Sequence, residues 1–356
     1  MFSSIQIENF KSFSSLKLDN LSQANLFFGR NNCGKTSLLE SIFILSGMSN
    51  PELPIKCNQF RDLSGMRSIS LLFHNLYDSK DIKFSATSSI PIFERQLFIH
   101  SQTKTVKDIS NYKYENTYNS DTLLSEVNEL VFSGTVKNSA GENETVKTIL
   151  ELREMKNGEK IQVSLSSKYK EKLYCSYFSP RLSLVTIVPS VLKIFSDKKE
   201  QVVLEALKII DNRIKDFILA DSIIMVDVGL DKRLPINFLG DGVRKFFTLV
   251  VAMYSCQNGV LLVDEIDNGM HFSTMEKFWN VLLHTAKMFN VQLFATTHNI
   301  DSIKGLNKVL LQTDNKEFQN KVSAYKILQH TDDTNSALYY DFKSFSDLIE
   351  SETEIR

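Results

Sequence analysis

Hydrophobic and polar positions change period several times along this chain, and each change predicts an element. "SSIQIENFKSF" alternates, with Ile5 and Ile7 on one face, and predicts an opening strand. "SSLKLDNL" predicts a second, with Leu16 and Leu18 on one face. "ANLFFG" is apolar throughout, the pattern of a central strand. "KTSLLESIFILSGM" then sets Leu38, Leu39, Ile42 and Leu45 at helical spacing, as packing positions of a helix.

From Asp81 to Ser167 the texture is alternating and strand-like, an antiparallel meander. "KNGE" at Lys156–Glu159 predicts a hairpin turn, and the Tyr-rich "NYKYENTYNSD" an exposed loop. From Leu184 to Ala220 the period is helical, with Leu204, Leu207 and Ile210 opposite a charged face. "SIIMVDVGL" predicts a strand, and "INFLGDGVRKFFTLVVAMYS" a loop feeding an amphipathic helix. "GVLLVDE" and "VQLFATTH" are strongly apolar strands, and "KVLLQT" and "VSAYKIL" are expected to close the sheet. The expectation is an α/β chain, with a β-rich start, an inserted β-rich arm and a parallel βαβ half.

Composition narrows the class. Of 356 residues, 42% are hydrophobic and 23% charged, values of a soluble globular protein able to bury a sizeable core. A net charge of −1 argues against the whole molecule attracting nucleic acid, though not against a local basic patch. Cys33, Cys57, Cys175 and Cys256 have no paired metal-type spacing and read as free cytosolic thiols. The N-terminus lacks the apolar core of a signal peptide, and no run approaches the ~20 residues that span a bilayer. The expected location is cytoplasmic, without a membrane partner.

Candidate chemistry lies in four places. Residues 29–36 match G-x-x-x-x-G-K-[ST] at Gly29, Gly34, Lys35 and Thr36, between an apolar strand and a helix. Such a loop, here with Asn31, Asn32, Cys33 and Ser37, turns backbone N–H groups and a helix N-terminus toward phosphate. Lys35 supplies a point charge and Thr36 a hydroxyl for Mg²⁺. At the end of "VLLVDE", Asp264 can hold that metal and Glu265 can polarise water; burying two carboxylates is costly unless they are paired or bind a metal. His298 ends the next apolar strand, on the rim where such sheets bind ligands. Gly240, Asp241 and Gly242 open a helix that an anion could meet, or that Asp241 simply caps.

In this order the segments "IENFKSF", "FFGRNNCGKTSLLES", "LGDGVRK", "LLVDEIDNGMH" and "ATTHNID" resemble the ATP-binding-cassette (ABC) class of ATPases. More narrowly they resemble its RecF/SMC/OLD branch, in particular the OLD-like, AAA-15-type ATPases. The resemblance implies an ABC-type P-loop ATPase head: residues 1–80 its N-terminal part, 81–183 the inserted arm, 184–235 a helical lobe with a connecting strand, 236–356 its C-terminal part. It implies ATP and Mg²⁺ as ligands. Gly240–Lys245 would be the signature that meets the nucleotide of an opposite subunit, Asp267 part of the D-loop, His298 the switch histidine, and Lys11 a phosphate contact. The signature has Gly-Asp-Gly where Leu-Ser-Gly-Gly-Gln is usual, and Gln59 in "CNQFRDL" is a candidate Q-loop glutamine. OLD proteins carry a Toprim nuclease after the ATPase, and residues 299–356 are well short of a ~100-residue domain. The resemblance therefore implies a homodimer or higher oligomer that controls a separate nuclease or other effector, in anti-phage defence. The alternative is a RecF-like clamp that binds DNA in repair.

Overall fold

The computed structural model describes all residues except 62, 64–68, 90–91, 108–123, 139, 156–157, 166–168, 180–186, 332–333 and 352–356. The chain opens with β1 (Ser4–Phe10) and β2 (Phe13–Leu18), which pair antiparallel. β3 (Ala24–Phe28) leads through the glycine loop into α1 (Lys35–Ser46), followed by α2 (Leu53–Phe60). The meander comprises β4 (Ile82–Ser89), β5 (Ile92–Lys107), β6 (Leu124–Lys137), β7 (Asn143–Met155) and β8 (Gly158–Leu165). These strands are continuous with the opening pair, in the order β2-β1-β4-β5-β6-β7-β8. The expected arm is thus hydrogen-bonded to the first strand through β4. Met155 faces Gly158 across the expected hairpin, whose Lys156 and Asn157 lie outside the described residues, as does the Tyr-rich 111–121.

The second sheet positions the site. β9 (Cys175–Phe178), β13 (Val260–Val263), β14 (Gln292–Thr297), β15 (Val322–Gln329) and β16 (Asn335–Tyr340) join β3 in the order β16-β15-β3-β14-β13-β9. Only β16 runs antiparallel to its neighbour. Both faces are covered, so period-two alternation sends neighbouring residues into two different cores. Leu26, Phe28, Leu261 and Val263 face one core. There they meet α5 (Asp241–Ser255), α6 (Met275–Met288) and α7 (Ile300–Leu311) through Phe246, Trp279 and Leu306. Phe27, Val260 and Leu262 face the other, where the fully buried Leu38, Leu39, Ile42 and Leu45 of α1 lie between the two sheets.

Two segments differ from the periodicity. The helical stretch divides into α3 (Val188–Ser196) and α4 (Glu200–Ile210), and "DFILA" is instead β10 (Asp216–Ala220). Asp221 and Ser222 both have positive φ, 47° and 65°, and make the two-residue turn into β11 (Ile223–Asp227). β12 (Leu234–Pro235) completes this small sheet. "KVLLQT" is not a strand: Val309 and Leu310 are buried on α7 in helical register with Ile303 and Leu306, from the Asn299 cap onward. The last helix is α8 (Phe342–Glu350). Among the described residues no helix is long and apolar enough to cross a membrane.

Candidate active site

Three adjacent parallel strands, β3, β14 and β13, end on one rim, with Phe28 opposite Thr297 and Val263 opposite Ala295. Their exits are the glycine loop, His298 and Asp264-Glu265. Gly29 and Gly34 have φ of 145° and 97°. A Cβ at Gly29 would lie 2.5 Å from the Ile327 carbonyl oxygen, and one at Gly34 2.7 Å from the Phe13 ring. Both positions need glycine for their own chain to pack, apart from any phosphate. The Lys35 ammonium curls over the loop and donates to the carbonyls of Gly29 (2.9 Å) and Arg30 (2.7 Å), with Cys33 Sγ at 3.8 Å. Burial pushes the Cys33 thiol up, against the pull of that ammonium.

Asp264 is nearly buried, at 8% exposure, and both its oxygens are held. Oδ2 accepts from the Thr36 hydroxyl at 2.9 Å, and Oδ1 from the Thr296 hydroxyl at 2.5 Å. The Thr296 hydroxyl also accepts from the Glu265 N–H at 2.9 Å. Glu265 has left-handed backbone, φ 48°, which turns its side chain from the strand end into the cleft. One residue on, the Thr297 hydroxyl bonds Asp267. The threonines of the central strand therefore hold the acidic loop of its neighbour.

The cleft has a volume of about 430 Å³. Lys35, Thr36, Ser37 and Asn31–Asn32 line one side, Asp264 and Glu265 the other, with Thr296, Thr297 and an exposed His298 between. Ser12 and Arg61 also line it, and neither is singled out by the sequence motifs. Arg61 forms two 2.8 Å bonds to Glu40 and one of 3.1 Å to the Ser37 hydroxyl. Glu40 lies on α1 and is fully buried, neutralised by Arg61 and by Lys11 at 3.1 Å. A carboxylate inside the apolar "LLESIFIL" demands cations, and that is the sequence signal for Arg61.

Several expected residues are placed elsewhere. The Lys11 ammonium is engaged by Glu40 and Asn58 and does not line the cleft. Gln59 is exposed on α2 and is absent from the lining, where Arg61 stands instead. Gly29 and Cys33 support the loop from behind, and Asp267 is buried against Thr297. Gly240, Asp241 and Gly242 begin α5 outside this chain's cleft, and Asp241 pairs with Arg244 at the surface. Lys245, in the same turn, points inward and donates to the carbonyls of Glu265 (2.7 Å) and Asn268 (2.9 Å). Burial pushes its ammonium down to about 8, opposed by Asp267, Glu265 and Asp264.

A mixed, mostly parallel sheet with this rim, flanked by an antiparallel sheet that the N-terminal strands join, has the fold of an ABC-type P-loop ATPase head. The fold is similar to the crystal structure of an SMC head bound to the C-winged helix domain of ScpA. TM-score is 0.50 and identity 10%, over 96% of this chain and 97% of that one. Residues 24–303 match the family described as AAA domain, putative AbiEii toxin, Type IV TA system, and the chain belongs to it. It is an ATPase. An "ATP/GTP phosphatase" of Helicobacter pylori is 25% identical over 345 residues, 88% of this chain and 90% of that protein. An uncharacterized protein of Methanocaldococcus jannaschii is 37% identical over 90 residues, 24% of this chain and 40% of that protein.

Proposed function

We propose that this ATPase is an OLD-like, nucleotide-driven dimer switch that controls a partner nuclease or other effector in anti-phage defence. The observation that carries the catalytic part is the 2.9 Å bond from Thr36 to Asp264, which joins the phosphate loop to the acidic strand end. Two hard oxygen donors at that spacing, one of them nearly buried, suit Mg²⁺, which when bound would neutralise phosphate charge. Lys35 and Arg61 face the phosphates as cations. Glu265 takes a proton from the attacking water, and His298 reads the terminal phosphate from the central strand. That the Helicobacter relative is an ATP/GTP phosphatase supports hydrolysis at this site.

For the dimer, the relevant surface is the start of α5. A Cβ at Gly240 would meet nothing within 4 Å, so this chain's packing does not explain that glycine. Phe238, two residues before Gly240, and Phe272, two residues after the Met270 that Gly242 abuts, are 77% and 65% exposed, apolar side chains that a second copy would cover. The family description, a toxin of a type IV toxin–antitoxin system, supports a role in defence. The test is co-purification with the product of the adjacent gene, with and without ATP, followed by a nuclease assay. ATP-dependent association with a nuclease that cuts only in the complex is expected. Association with a replication protein on duplex DNA instead would overturn the effector reading.

A further inference from the structure

We infer that Lys245 is a positioning residue for Glu265, linking the first turn of α5 to the carboxylate that activates water. The inference rests on the reading of Glu265 as the base. A non-glycine residue in the left-handed region persists only where its surroundings hold it. At Glu265 both peptide ends are held. The N–H donates to Thr296 Oγ1, and the carbonyl accepts from Lys245 Nζ at 2.7 Å and from the Asn268 N–H at 3.0 Å. Lys245 also ties down the Asn268 carbonyl at 2.9 Å, so one ammonium spans both ends of the turn at residues 265–268. Its charge lies about 6.0 Å over the Phe178 ring, at the end of the neighbouring strand.

The connection runs on to the glycines. A Cβ at Gly242 would lie 3.2 Å from Met270 Sδ, and one at Gly269 3.5 Å from Asp241 Cβ, so the helix start packs directly on the same loop. A shift of the first turn of α5 is therefore carried to Glu265 by a charged bond as well as by contact. Asp264 is held independently, by Thr36 and Thr296. Loss of Lys245 should free the base and leave the metal-binding carboxylate in place.

The experiment is a double-mutant cycle on the full chain, with ATP turnover and nucleotide affinity measured for Lys245→Met, Glu265→Gln and the pair. Lys245→Met is expected to lower kcat about tenfold, with KM and nucleotide affinity within about twofold of the parent. Lys245→Arg, which keeps the charge and the donors, should recover part of the rate. In the Glu265→Gln background Lys245→Met should cost nothing further, because it acts through a base already removed. An equal loss in both backgrounds, or a loss of nucleotide binding, overturns the inference and leaves Glu265 as the base. Parent turnover in Glu265→Gln removes the base itself, and the inference with it. Lys245→Gln, which keeps one donor, carries the same cycle if the methionine variant does not accumulate.

Discussion

The Thr36 hydroxyl meets the Asp264 carboxylate at 2.9 Å, although 228 positions separate them in the chain. That bond joins the first turn of α1 to the end of a strand two places away in the sheet, across the floor of the cleft.

Lys35→Ala should abolish nucleotide binding. The phosphates lose the cation around which the loop is built, and Arg61, fixed in the cleft wall by Glu40, cannot move into its place. Calorimetry on the purified variant measures this directly; parent affinity would take the loop out of the site.

Glu265→Gln should bind ATP and hydrolyse it about 10²-fold or more slowly, since water loses its base while Asp264 keeps its partners. ATP should then hold the variant as a dimer in size-exclusion chromatography. Unchanged turnover assigns the base to another residue.

Gly242→Glu places a side chain and a negative charge at the start of α5, against Met270. It should spare nucleotide binding and remove turnover. Mixed with Lys35→Ala, contribution across the dimer leaves one site doubly broken and one intact. Recovery of up to about half the parent rate is then expected. Heterodimers that form and stay inactive would place the action of α5 within its own chain.

Arg61→Ala and Lys11→Ala should separate stability from binding. Each removes one of the two cations on a buried carboxylate that keeps the other, and a loss of about 2 kcal/mol is expected by urea unfolding. Only Arg61 lines the cleft, so only its variant should also weaken nucleotide affinity. Equal affinity losses in both would return Lys11 to the phosphates.

Lys245 gives a pH dependence. Burial lowers its pKa from 10.5 to about 8. Between those values the unfolded chain holds the proton and the folded chain releases it. The unfolded state then binds more protons, and stability rises with pH. Relative to Lys245→Met, the parent should gain up to ~3 kcal/mol from pH 8 to 10.5 and nothing below pH 8. Denaturation of both proteins at pH 7 and pH 10 reads the difference; a constant gap would mean an ordinary ammonium.

Much of the site was legible because its parts are contiguous. The loop, the Asp264-Glu265 pair and His298 each sit at the end of a short apolar strand, and parallel pairing alone brings such ends to one rim. What was not legible depends on long-range contacts. Thr296 acts on Asp264 from the next strand, Lys245 on Glu265 from the preceding helix, and Arg61 on α1 from beyond α2. "DFILA" and "KVLLQT" depart from the expected helix and strand because a short apolar run suits either periodicity, and only the hairpin turn and the Asn299 cap decide between them.

The left-handed backbone at Glu265 sets heat tolerance against turnover at one position. Glycine there would relieve about 1 kcal/mol of backbone strain and remove the carboxylate that the proposed mechanism uses to accept the proton. A library of this protein screened for survival on heating alone would drift toward glycine or asparagine at residue 265 and go silent as it hardened. The residue found there in a stabilised descendant would reveal whether turnover was ever among the conditions of its selection.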